Sequence, residues 1–200
     1  MAFAIIIIPG PSVMFVVSRA VSHGRRAALV TVLGNAAGAY TQVLLVAIGV
    51  GAIVERSIAV FTAVKLVGAA YLVWLGVQTF RHRRDASVVD RSPVVARSTR
   101  SLLIDGFAVG SSNPKTIVFF AAILPQFVDH GGAPGALQMA VLGLVFVAVA
   151  LVSDSAWGLG AGTARQWFVR SPRRLEVLSG FGGAVIVGLG LRLALIDRKH

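Results

Sequence analysis

Cysteine is absent from this sequence, which excludes disulfide bonds, thiolate metal sites and thiol-based redox chemistry. Charged residues are also scarce. They make up 14% of the 200 residues, whereas a soluble domain of average composition carries about 25%. The chain therefore has too few charges to cover the surface of a soluble protein of its size.

Apolar residues are abundant. They form 56% of the chain and give it a mean hydropathy of +0.81. They occur in runs of about 20 residues, the length that a helix needs to cross a bilayer. We predict an all-α, polytopic membrane helix bundle that forms a single domain over 1–200. The six predicted transmembrane helices cover roughly 2–20, 28–53, 58–80, 102–124, 136–160 and 176–196. The first has only eight residues before Pro9, so we expect its true start to lie upstream.

The positive charges are concentrated in loops. A net charge of +11 is compatible with nucleic-acid binding, but the arginines form short clusters between apolar runs instead of one basic face. Three alternate loops hold most of them, at 19–27, 81–101 and 161–175. Because basic loops remain in the cytoplasm, we predict that both termini are extracytoplasmic and that nucleic acid is not a partner.

The two halves of the chain share a pattern. The glycine spacing of 68–76 in the third predicted helix recurs at 182–190 in the sixth, and proline interrupts both the first and the fourth helix. Three helices per half is an odd number, so the halves enter the membrane in opposite directions. We predict two inverted three-helix repeats, an arrangement typical of secondary transporters. The repeats cover about 1–80 and about 102–200, and a cytoplasmic basic loop at about 81–101 joins them.

The interruptions are Pro9-Gly10-Pro11 and Asn113-Pro114-Lys115. Each proline removes a backbone donor and clashes with the preceding turn, so the helix opens there. In hydrocarbon the freed carbonyl groups need partners, which protein, water or a bound solute can supply. One interpretation is a kink packed against neighbouring helices. The other, favoured because the two breaks occupy matching positions, is a central binding site.

Two charges are predicted to lie inside the membrane. Lys115 falls near the middle of the fourth helix, where a lone charge costs about 3 kcal/mol. It could hold a substrate carboxylate or form a buried pair with an aspartate. Asp154 is the only acidic residue well inside the fifth predicted helix. It is either a proton relay or a neutralising partner of Lys115 or of a loop arginine.

Polar and small residues share one face of the second predicted helix. Asn35, Gly38 and Gln42 are spaced i, i+3 and i+7. The two polar side chains either line a pathway or bond between helices. Glycines four residues apart recur elsewhere, as at Gly106 and Gly110. Such pairs let helices approach closely, and they also offer a surface for a homodimer.

Catalytic and metal-binding patterns are missing from the sequence. The stretch Gly110-Ser111-Ser112-Asn113 lacks the glycine that follows serine in a nucleophile elbow. The four histidines lie in predicted loops or in the tail, without metal-ligand spacing. We therefore predict that the protein is not an enzyme and that it has no cofactor and no metal site.

Four motifs together resemble the lysine exporter (LysE/RhtB) family of amino acid efflux transporters. They are Pro9-Gly10-Pro11, Gly24-Arg25-Arg26-Ala27, the stretch from Lys65 to Leu72, and Asn113-Pro114-Lys115 followed by Leu124-Pro125-Gln126-Phe127. The resemblance runs along nearly the whole chain. It implies a six-helix exporter in the bacterial inner membrane, which uses the proton gradient to move amino acids or related small solutes out of the cytoplasm.

The sequence departs from this family pattern in two places. Family members usually have a longer segment before the first motif, and many carry an acidic residue where this chain has Ala39. The second departure leaves Asp154 a larger share of any proton coupling. It also argues against a cationic substrate.

We hypothesise that a small-molecule substrate, an amino acid or a derivative, binds between the two broken helices near the bilayer midplane and crosses by alternating access. The predicted substrate-binding residues are Pro9, Gly10, Pro11, Asn35, Gly38, Gln42, Asn113, Pro114 and Lys115. Asp154 is the candidate for proton coupling. The alternatives are an exporter of inorganic cations, which the scarcity of acidic and sulfur ligands disfavours, an intramembrane enzyme, and a scaffold without transport activity.

Overall fold

The computed structural model describes residues 7, 9–49, 58–82, 97–129, 131–171 and 173–195, and within them all of the regular secondary structure is helical. The helices are α1 (Pro11–His23), α2 (Arg25–Gly49), α3 (Ile58–Arg81), α4 (Thr99–Ser111), α5 (Pro114–Ala122), α6 (Gly135–Thr163), α7 (Arg165–Val169) and α8 (Arg173–Ala194). A single 3₁₀ turn, Leu124–Phe127, follows α5. The predicted all-α class is confirmed for these residues.

Several helices are long and apolar enough to cross a membrane. By length and composition α2, α6 and α8 each qualify alone. Helix α4 and the segment Pro114–Phe127 qualify as one span that is bent by 46° at its break. Large apolar side chains such as Leu45 and Ile48 are exposed on the outside of the bundle, as lipid-facing residues are. The chain is therefore a multi-pass membrane protein, and one of its candidate spans is bent at its break.

The predicted breaks have clear local causes. Pro11 begins α1 and Pro114 begins α5, and a proline is tolerated at these first helical positions because no helical partner exists for its missing N–H. The side chain of Asn113 caps α5, where its Oδ1 accepts a hydrogen bond from Lys115 N at 3.1 Å. Pro9 and Gly10 are non-helical, and most of the first predicted helix before them lies outside the described residues.

Helix α2 packs in parallel against α4 through glycines on both helices. Carbonyl and amide groups of α4 lie directly against Gly34 and Gly38, while backbone of α2 lies against Gly106 and Gly110. A methyl group on Gly110 would overlap the carbonyl oxygen of Asn35. These glycines therefore serve the close packing of helices, as the i, i+4 spacing indicates.

Helices α3 and α8 pack against each other in opposite directions. Gly76 lies against the backbone of Gly183, and Gly190 lies against Ala69. The two glycine-rich segments whose spacing indicated a repeat are thus direct neighbours.

Two apolar clusters hold the bundle together. One surrounds the rings of Phe119, Phe120 and Phe146, with Phe146 centred 4.8 Å from Phe119 and 5.0 Å from Phe120. The other is formed by valines and alanines of α1 with their neighbours on α2 and α6. Offset and edge-on aromatic contacts of this kind stabilise a pair by about 1 kcal/mol beyond burial.

Candidate functional site

The two helix breaks meet inside the bundle. Asn113, at the second break, donates a hydrogen bond from Nδ2 to Oγ of Ser12, one residue after the first break, at 2.5 Å. Gly10 lies so close to Lys115 that a Cβ atom on Gly10 would be 3.0 Å from the lysine Nζ. The absence of a side chain at Gly10 therefore leaves room for the ammonium group. Interrupted helices that meet in this way are typical of transporter binding sites.

A small cavity lies where the breaks meet. Its volume is about 40 Å³, enough for about three water molecules. Its walls come from both breaks and from α2, α4, α5 and α6. The lining residues are Gly10, Ser12, Val13, Asn35, Ala39, Gly110, Asn113, Lys115, Thr116, Phe146, Ala150 and Asp154.

Two opposite charges face this cavity. Lys115 is 6% exposed and Asp154 is 5% exposed, so both are removed from bulk water. The charges attract one another across the site. Such an attraction is strong in a poorly hydrated interior and offsets part of the cost of placing each charge there.

Asn35 connects α2 to the buried carboxylate. Its Nδ2 donates a hydrogen bond to Oδ2 of Asp154 at 3.1 Å. Its Oδ1 is buried and has no hydrogen-bond partner among the described residues. A buried acceptor left without a donor costs about 1–3 kcal/mol, so this oxygen is suited to accept a hydrogen bond from a water molecule or a bound solute.

Gln42 has a different environment from Asn35, although both lie on one helical face. Its Nε2 donates to the carbonyl oxygen of Ser111 at 2.8 Å, and its Oε1 accepts from Thr116 Oγ1 at 2.7 Å. The same Nε2 also donates to the carbonyl oxygen of Asn113, at 3.4 Å. Protein groups thus satisfy the carbonyls freed at the second break, and Gln42 bonds between helices outside the cavity lining.

The predicted site residues divide into two sets. Gly10, Asn35, Asn113, Lys115 and Asp154 line the cavity. The remaining five do not line the cavity. Pro9, Pro11 and Pro114 lie at the helix breaks, Gly38 packs on α4, and Gln42 forms hydrogen bonds to the second break.

Some lining residues were not found from the sequence. Ser12 and Thr116 each follow a break by one residue, so a polar side chain beside a break was the available signal. Phe146 and Ala150 lie eight and four residues before Asp154 and share its helical face. That spacing would have identified them.

The basic segments meet at one end of the bundle. Oδ2 of Asp105 lies 2.7 Å from Nη2 of Arg19 and 2.8 Å from Nη1 of Arg97. Nη2 of Arg165 donates to the carbonyl of Ser22 at 3.4 Å. The parts of the three predicted cytoplasmic loops that the structure describes are therefore neighbours. Among the same residues, no group of three His, Asp or Glu side chains is placed to hold a metal ion.

Comparison with known proteins finds relatives that are named as membrane or efflux proteins. A family model described as LysE type translocator matches residues 3–196. An uncharacterized membrane protein of Vibrio cholerae is 35% identical over 93% of this chain and 89% of its own length. The homoserine/homoserine lactone efflux protein of Salmonella typhimurium is 30% identical over 93% and 88%. The threonine efflux protein of Salmonella typhi is 31% identical over 94% and 90%. No solved structure matches the chain significantly.

Proposed function

The chain belongs to the LysE type translocator family, and from this membership we propose that it exports amino acids or related small solutes from the bacterial cytoplasm across the inner membrane. The observation that carries the proposal is the meeting of two broken helices at a cavity that contains both Lys115 and Asp154. Relatives named as efflux proteins for homoserine and threonine support the substrate class. A transporter of this kind is not an enzyme and needs no cofactor.

The charges of the cavity complement a zwitterion. Among the described lining residues, Lys115 is the cation and Asp154 is the anion. Lys115 binds the substrate carboxylate, while Asp154 and the Oδ1 of Asn35 accept hydrogen bonds from its ammonium group. A second charge on the substrate would have no counter-charge there, which favours uncharged side chains.

Six helices in two inverted repeats fit the observed contacts. Helix α1 runs antiparallel to α4, since Ser12 lies at Asn113 and Arg19 at Asp105. Helix α3 likewise runs antiparallel to α8. The repeats are about 1–80 and about 102–200, with the basic loop 81–101 in the cytoplasm and both termini outside.

Transport follows from alternate opening of the two ends. The cavity has room for only a few water molecules, so a solute enters when the repeats separate. At the cytoplasmic end the Arg19–Asp105 ion pair joins α1 to α4 and must break for loading. Asp154 takes up a proton from the outside and releases it to the cytoplasm in each cycle.

A second copy of the chain docks on the open face around Gly188, where a methyl group would meet no described atom within 4 Å.

An efflux assay tests this function. Cells loaded with labelled threonine, homoserine, leucine, lysine or glutamate are followed for export at several external pH values. We expect export of at least one neutral amino acid, faster as external pH falls, and at least tenfold slower export by Lys115→Gln. Asp154→Asn should export without pH dependence or not at all, whereas the control Asp129→Asn changes an exposed loop carboxylate and should behave as wild type.

The results of this assay distinguish amino acid transport from proton coupling through Asp154. Absence of export for every compound would overturn amino acid transport. Export by Asp154→Asn with the wild-type pH dependence would remove Asp154 from proton coupling and leave the transport function intact.

A further inference from the structure

A second pocket lies at the basic end of the bundle, away from the central cavity. It has a volume of about 430 Å³ and lies between the start of α2 and the start of α4. Arg26, Arg97 and His23 line it, together with the Ser98 and Thr99 side chains. The central transport site uses none of these residues.

The described residues at this pocket carry an excess of positive charge. Arg97 contacts Asp105, but Arg19 contacts the same carboxylate oxygen. Two guanidinium groups thus share one carboxylate, and the exposed Arg26 adds a third. Because a guanidinium has five N–H groups, Arg97 can bind a second anion while it keeps its bond to Asp105.

The floor of the pocket is apolar, and exposed apolar side chains follow it on the same two helices. Val30 and Leu102 line the pocket. Beyond Val30 and Leu102 on these helices, Leu33 is 54% exposed, Leu103 is 37% exposed and Phe107 is 42% exposed. Basic groups at the level of the lipid headgroups, followed by apolar groups at the level of the acyl chains, match the two parts of a phospholipid.

We propose that this pocket binds an anionic phospholipid of the cytoplasmic leaflet, with the phosphate held by Arg26 and Arg97 and one acyl chain lying along Leu33, Leu103 and Phe107. A free phosphate would use the arginines but not the adjoining apolar surface, and an acidic peptide would not use a surface at acyl-chain depth. Basic pockets between transmembrane helices on the cytoplasmic side are suited to anionic lipid headgroups. A lipid here would join α2 to α4 whatever solute the protein carries.

Native mass spectrometry of the purified, detergent-solubilised protein tests the site. Dioleoyl phosphatidylglycerol and dioleoyl phosphatidylethanolamine are titrated separately. We expect wild type to prefer phosphatidylglycerol, and Arg26→Gln/Arg97→Gln to bind it about thirtyfold more weakly, from about 1 kcal/mol for each arginine. Arg26→Gln alone leaves the Arg97–Asp105 ion pair in place and should lose about fivefold.

The matched control removes two arginines that belong to the same end of the bundle but do not line this pocket. Arg170→Gln/Arg173→Gln should bind phosphatidylglycerol within about threefold of wild type, since screened attraction to a charge outside the pocket is weak. Equal losses for both double variants would overturn the site and indicate general charge attraction. So would a wild type without preference for phosphatidylglycerol. Displacement of the lipid by an equal concentration of glycerol phosphate would overturn the lipid as the occupant.

Discussion

Removal of one of the two buried charges should destabilise the protein more than removal of both. Lys115→Gln leaves the carboxylate of Asp154 in a cavity where it is 5% exposed, and Asp154→Asn leaves the ammonium of Lys115, which is 6% exposed. An unpaired buried charge costs about 3 kcal/mol. If the two sites were independent, the double variant would lose about 6 kcal/mol. Because it holds no unpaired charge, we expect it to lose about 3 kcal/mol or less.

This double-mutant cycle is measured by reversible unfolding of the protein in mixed detergent micelles. Wild type, both single variants and the Lys115→Gln/Asp154→Asn double variant are compared under one set of conditions. We expect a coupling free energy of about 3 kcal/mol or more. Losses that add to within about 0.5 kcal/mol would refute the reasoning, since they would mean that the charges do not interact. Asp129→Asn, in an exposed loop, should change the unfolding free energy by less than about 0.5 kcal/mol.

Substitutions at Gly110 and Asn113 test the helix contacts. Gly110→Ala places a methyl group on the carbonyl oxygen of Asn35 and should cost about 3 kcal/mol by forcing α2 away from α4. The control Gly160→Ala enters open space and should have little effect in the same unfolding assay. A small loss for Gly110→Ala would contradict the close packing of α2 on α4. Asn113→Ala removes both the cap of α5 and the hydrogen bond to Ser12, so we expect a loss of about 1–2 kcal/mol together with slower efflux. Asn113→Asp, which keeps a capping oxygen, should recover the part of the stability that the cap supplies.

The helices and their interruptions could be predicted because their causes are local. A run of apolar residues predicts a membrane helix from length alone, and α2, α6 and α8 begin and end within a few residues of the predicted bounds. Proline opens a helix through its own missing donor, whatever surrounds it. The sequence alone therefore located the breaks next to Pro11 and Pro114.

The tertiary structure determines which groups each polar side chain contacts. Asn35 and Gln42 share one face of α2, so the spacing predicts the same environment for both. In the folded protein Asn35 lies at the cavity beside Asp154, while Gln42 reaches the carbonyl of Ser111 at the break between α4 and α5. That difference depends on the depth, which is the position along α2 that lies beside the last residue of α4. The depth is set by contacts between backbones at Gly106 and Gly110, which no local pattern in α2 encodes.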